Sequence, residues 1–192
     1  MGYLQALKGL VFGTPEIFQL TSDHKNKAGI TIPFINLILC GTFFGYANYL
    51  VTAPNLGEFI YQGLYRYGTP FLFIVSGIIL VFLTASGFSL IYWAMGKGFG
   101  GYNTYIACFK QVGLISPGMW IIAPLGLILK TGALNGIYSS LLVLLISAAA
   151  IWTLINLVRS FQFNHGLSKQ RAWIAAITTI IFCVSSVYLF NQ

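Results

Sequence analysis

Carboxylates are almost missing from this sequence. Of 192 residues only Glu16, Asp23 and Glu58 are acidic, and none occurs from Phe59 to Gln192. Paired carboxylates for acid and base work, oxygen shells for hard metal ions and aspartates that orient a histidine all need side chains this stretch does not hold. Most hydrolytic and phosphoryl-transfer chemistry is disfavoured, and the expectation is a protein that is not an enzyme, with no catalytic, cofactor-binding or metal-binding residues. Cysteine is scarce too: Cys40, Cys108 and Cys183 lie far apart in apolar sequence, without a C-x-x-C or a nearby histidine pair, and read as small core residues. An early apolar run with a small-residue cleavage site is also lacking, because the first long run begins near Ile30. The first span is therefore expected to act as an uncleaved signal.

Charge of either sign makes up only 7% of the chain, against roughly 25% in an average soluble domain. Hydrophobic residues supply 57% and the mean hydropathy is +0.82. This composition predicts an all-α membrane protein. A bilayer core of roughly 30 Å needs about 20 apolar residues in a helix, and five segments qualify: 30–52, 69–95, 106–129, 133–158 and 172–190. The expected architecture is a cytoplasmic N-terminal segment, residues 1–28, followed by a five-span bundle, residues 29–192. Eight basic residues (Lys8, Lys25, Lys27, Lys97, Lys110, Arg159, Lys169 and Arg171) are assigned to one side of these spans, Lys110 from within the near end of the third, and only Arg66 and Lys130 to the other. Positively charged loops stay in the cytoplasm, so the expectation is an inner-membrane protein with its N-terminus inside and its C-terminus outside.

Ahead of the first span, Thr14, Pro15 and Glu16 read as a helix start: a capping hydroxyl, a first-turn proline and an acid near the positive end of the dipole. Leu4, Leu7, Leu10 and Val11 precede it at roughly helical spacing. Short amphipathic helices lying on the inner leaflet are expected, with packing beneath the bundle as the alternative.

The stretch GKGFGGYNTY places Gly96, Gly98 and Gly101 in the spacing G-x-G-x-x-G. A dinucleotide loop needs a strand before it and an acid about 20 residues after it, and a P-loop needs Ser or Thr after its lysine; none of these is present. The stretch reads as a close-packed reversal after the second span. In the third span, SPGMWIIAP sets Pro117, Gly118 and Pro124 where they should interrupt the hydrogen-bond ladder twice. The pairs Gly41/Gly45 and Gly132/Gly136 have the G-x-x-x-G spacing of close helix approach, within the bundle or between subunits, but the pattern is too frequent to fix an oligomeric state. In RSFQFNHGLSKQRAW, Arg159, Lys169 and Arg171 are expected at headgroup level, and His165, with no neighbouring acid, is expected to face solvent or lipid.

Two blocks carry a family resemblance: FSLIYWAMGKGFGGYNTYIACFKQVGLISPGMW and IWTLINLVRSFQFNHGLSKQRAW. Through Gly100, Gly101, Tyr105, Pro117, His165, Gly166, Leu167, Ser168 and Ala172 the sequence resembles the Yip domain family of Ypt/Rab-interacting membrane proteins. The resemblance implies five spans, a cytoplasmic N-terminus and no catalytic residue. Family members associated with Rab GTPases carry a long cytoplasmic region ahead of the spans; with fewer than 30 residues there, this chain resembles the short bacterial members, and Rab binding is not carried over.

The resulting expectation is a non-enzymatic adaptor or membrane-organising protein. Its lipid- or partner-facing residues would be Lys97, Lys110, Arg159, His165, Lys169 and Arg171, shaped by Gly100, Gly101, Pro117 and Gly166, and its ligands anionic lipid headgroups, not nucleic acid. The competing expectation is a small-solute transporter or channel that uses the broken third span, with Pro124 and Asn135 lining a cavity.

Overall fold

The computed structural model describes residues 3–19, 27–53, 65–131 and 136–190, and every regular element among them is helical. In chain order these are α1 (Tyr3–Phe12), α2 (Pro15–Gln19), α3 (Ala28–Thr52), α4 (Tyr65–Gly98), α5 (Tyr105–Ile115), α6 (Met119–Lys130), α7 (Ile137–His165) and α8 (Lys169–Phe190); a 3-10 turn, Ser116–Gly118, joins α5 to α6. Four stretches among the described residues are long and apolar enough to cross a membrane: Ala28–Thr52, Tyr65–Gly98, Tyr105–Lys130 and Ile137–His165. They coincide with the first four expected spans. The fifth expected span falls on α8. Outward side chains agree with a lipid solvent: Leu72, Leu83 and Leu144 are 67%, 66% and 65% exposed, which water would penalise and acyl chains would not.

The chain packs as two compact units: Met1–Phe34, Thr84–Ile115 and Leu154–Gln192 form the first, Ile35–Leu83 and Ser116–Thr153 the second. α1, α2 and the start of α3 fall in the first unit.

In the second unit α3 and α4 meet through glycine. A β-carbon on Gly77 would lie 2.5 Å from the Gly41 carbonyl oxygen and 2.6 Å from the Gly45 Cα. The G-x-x-x-G of α3 thus serves contact within the chain. Trp120 of α6 donates its indole N–H to the Asn36 carbonyl at 3.0 Å and packs its ring on Phe43, 6.0 Å between centroids. The expected double interruption is half right. Pro117 lies in the 3-10 turn, whereas α6 continues through Pro124, because one missing N–H bends a helix without ending it when neighbouring helices support it. Beside the turn, Gly118 leaves no room for a β-carbon against Thr153 Oγ1 and Trp152, so the interruption is packed by α7. Gly132 and Asn135 lie outside the described residues.

In the first unit, α1 ends at Gly13, whose φ of 66° is left-handed. Gly13 N–H bonds Leu10 O at 3.2 Å and Thr14 N–H bonds Gly9 O at 2.9 Å, which is the Schellman pattern. The Thr14 hydroxyl turns back to Gly9 O at 3.4 Å, serving the end of α1 instead of the expected start of α2. Phe18 of α2 stacks on Phe163 at 5.9 Å, and Gln111 Nε2 donates to its carbonyl. A stripe of small residues, Ala172, Ala175, Ala176 and Thr179, all fully buried, seats α8.

Candidate functional site

The glycine stretch and the end of α7 come together in the first unit. Gly101 N–H bonds Gly96 O at 2.8 Å and Gly100 N–H bonds Lys97 O at 3.0 Å. With Gly100 at φ 92°, α4 closes in a second Schellman motif. The G-x-G-x-x-G spacing is therefore a helix C-terminus, which presents carbonyl oxygens. Phosphates are held at the opposite end, by the free N–H groups of an N-terminus.

Two of the three spaced glycines make a notch for His165. A β-carbon on Gly96 would overlap the imidazole, and one on Gly101 would lie 2.6 Å from Nδ1 and 2.8 Å from the histidine Cβ. Gly98 faces open space. The ring is fully buried; Tyr92 and Phe161 pack on it at 5.0 and 5.5 Å between centroids, and Nε2 lies 3.3 Å from Cys108 Sγ. Tyr92 and Ser160, both fully buried, share a 2.6 Å hydroxyl–hydroxyl bond. No carboxylate orients the imidazole, and Nδ1 has no hydrogen-bond partner among the described residues. Packing fixes this histidine.

The loop between α4 and α5 is tied to α7 by amides. Asn103 Nδ2 donates to the Asn164 carbonyl at 2.8 Å and to Asn164 Oδ1, while Asn103 O accepts the Trp93 indole at 3.2 Å. Asn103 Oδ1 accepts from Thr104 N–H at 2.9 Å, and the Thr104 hydroxyl accepts from Ala107 N–H at 3.4 Å, capping α5. Gly166, φ 69°, ends α7, and the Tyr102 ring lies where its β-carbon would be. A rigid junction results.

Around this junction the expected surface residues separate into two groups. Lys97, Lys169 and Arg171 are exposed, as are Lys8 and Lys27, and the Arg171 guanidinium comes within 3.8 Å of a β-carbon placed on Gly100. Arg159 is half-buried, its guanidinium filling the space beside Gly13. His165 and Lys110, expected to face lipid or a partner, are buried. α7 runs seven residues beyond the expected span end at Val158 and carries His165 inward; Lys110, 5% exposed, opens the buried run 110–115 of α5. Tyr92, Asn103, Cys108, Ser160 and Asn164 were not singled out by sequence as a site. Their signal was the four-residue spacing of Asn156, Ser160 and Asn164 on α7.

A Yip1 domain model matches residues 16–190. The chain belongs to the Yip1 domain family. No curated protein and no solved structure matches it. The Yip1 match runs from Glu16 in α2 to the end of α8 and so includes the whole junction of α4, α5 and α7. It leaves α1 outside.

Proposed function

We propose that this Yip1-domain protein is a non-enzymatic, multi-pass inner-membrane protein that organises the membrane, or adapts a partner to it, through a basic cytoplasmic face. In this reading α8 is the fifth span, the N-terminus is inside, the C-terminus is outside, and α1 and α2 lie at the inner leaflet. One observation carries it: among the described residues, every basic one apart from Arg66 and Lys130 belongs to the first unit. The sequence from Phe59 to Gln192 has no carboxylate to neutralise them. Lys97, Lys169 and Arg171 are the exposed members nearest the rigid junction, and they suit anionic headgroups.

A lysine or arginine near an anionic leaflet is worth about 1 kcal/mol, so three amount to on the order of 100-fold in headgroup retention. The test replaces Lys97, Lys169 and Arg171 by Gln and measures, by mass spectrometry, the anionic lipid carried through purification in detergent. A comparison variant removes Arg66 and Lys130. Equal retention in the two variants would overturn the reading. Crosslinking in native membranes with the same triple variant asks whether a protein partner uses this face as well.

A further inference from the structure

We infer that α1 is a preformed wedge, seated with one face on the first unit and the other in the headgroup–acyl boundary of a single leaflet. The inference rests on the membrane-organising reading above and names a means for it. α1 has two unlike faces. Ala6, Gly9 and Leu10 are buried, whereas Leu4, Val11 and Phe12 are 79%, 58% and 68% exposed, with the exposed Lys8 between them. A helix floating on a bilayer turns a polar face to water; here the inner face is occupied by protein and the outward face is mainly apolar, with Gln5 and Lys8 its exposed polar residues.

Lipid is the occupant that fits. α1 carries no carboxylate, and a lysine within an apolar face can reach phosphate while its stem stays in hydrocarbon. Three side chains at these exposures offer on the order of 400 Å², about half of the roughly 800 Å² per partner in a stable protein interface. The helix is held firmly: its Schellman end at Gly13 lies against Arg159 of α7, and α2 is fixed through Phe18 to Phe163 and Gln111. With 10 residues, α1 is about 15 Å long. It cannot reach across a core of roughly 30 Å, so the area it occupies is added to one leaflet only. Such an insertion favours the outside of a curved bilayer. The family match begins at Glu16 and does not cover α1.

Two measurements test it on the full-length protein. Photoreactive p-benzoylphenylalanine at position 4, 11 or 12, irradiated in native membranes, should yield phospholipid adducts; adducts with a second copy or another protein, or no adduct, would overturn the inference. In small and large vesicles of one phosphatidylethanolamine–phosphatidylglycerol composition, protein with its N-terminus outside should be enriched about twofold on the small ones. Replacing Leu4, Val11 and Phe12 by Ser should abolish the enrichment, with Leu4→Ser alone used if the triple variant does not fold. Equal distribution of the wild type, or enrichment surviving substitution, would sink the wedge. A failed basic-face reading shows instead in the Lys97, Lys169 and Arg171 experiment and leaves the curvature ratio untouched.

Discussion

Gly101→Ala should destabilise the protein, and His165 should be the reason. The new β-carbon would lie 2.6 Å from Nδ1, 2.8 Å from the histidine Cβ and 2.7 Å from the Gly96 carbonyl oxygen, where ordinary contact is 3.4–4 Å. The imidazole cannot retreat easily, with Tyr92 at 5.0 Å, Phe161 at 5.5 Å and Cys108 Sγ at 3.3 Å. Overpacking of this kind costs about 1–3 kcal/mol, and the lower backbone entropy of alanine offsets roughly 0.5–1 kcal/mol, so a net loss of about 1.5 kcal/mol is expected. His165→Ala alone should lose about 3 kcal/mol through the cavity it leaves. In the double variant the contact with Nδ1 is relieved while those with the residue-165 β-carbon and the Gly96 carbonyl oxygen remain, so the combined loss should fall short of the sum of the two single losses by about 0.5 kcal/mol or more. The assay is unfolding by sodium dodecyl sulfate in mixed micelles, followed by circular dichroism, with all four proteins in one cycle. Gly98→Ala, facing open space, is the control and should be neutral or stabilising. If the two losses simply add, the notch has no energetic content and the reasoning fails.

Two further outcomes follow from the packing. Cys108 is fully buried beside His165 and should resist maleimide in the folded protein, reacting when detergent unfolds it and faster in Gly101→Ala; rapid labelling of the folded wild type would contradict the burial. Gly77→Ala should cost more than Gly101→Ala, at least about 3 kcal/mol, since its β-carbon meets the backbone of Gly41 and Gly45, which cannot rotate away. A loss smaller than that of Gly101→Ala in the same assay would mean that α3 and α4 are free to part.

The apolar spans were readable because they depend on a summed quantity. Some 20 consecutive apolar residues leave a helix no other solvent than lipid, and no single neighbour can change that. The basic residues divide between the two units: Lys97, Lys169 and Arg171 belong to the first unit, Arg66 and Lys130 to the second. The glycine stretch was readable as a reversal, and its hydrogen bonds show it to be a helix end of a known kind. Its partner was not readable. A glycine that makes room for a side chain 64 or 69 residues away in sequence, as Gly101 and Gly96 do for His165, leaves no local pattern.

His165 and Lys110 were misplaced for one physical reason. A charged residue in an apolar sequence was taken as the mark of a membrane boundary, so Arg159 ended the fourth span, and Lys110 was counted with the cytoplasmic loop although it falls within the first turns of the third expected span, 106–129. Helices do not stop there: α7 continues to His165 and α5 starts at Tyr105. Beyond Arg159 the buried side of α7 keeps its period, Asn156 and Leu157, Ser160 and Phe161, Asn164 and His165, with Ser160 joined to Tyr92 and Asn164 to Asn103. A boundary residue tells where lipid ends, whereas the spacing of buried positions tells where the helix ends.

The arginines of the first unit point to one cause of its positive character. Arg159 lies against Gly13 at the end of α1, and Arg171 approaches Gly100 at the end of α4. Both glycines are left-handed closures whose helices point their carbonyl ends, and hence their partial negative charge, toward the guanidinium. A cation there is worth about 0.3–1 kcal/mol, and Lys97, in the last turn of α4, is placed for the same interaction. The helix ends that close in this unit therefore account for part of its positive character. Arg159, half-buried on Gly13, belongs to that part. Lys169, exposed at the first position of α8, is left to whatever meets the surface.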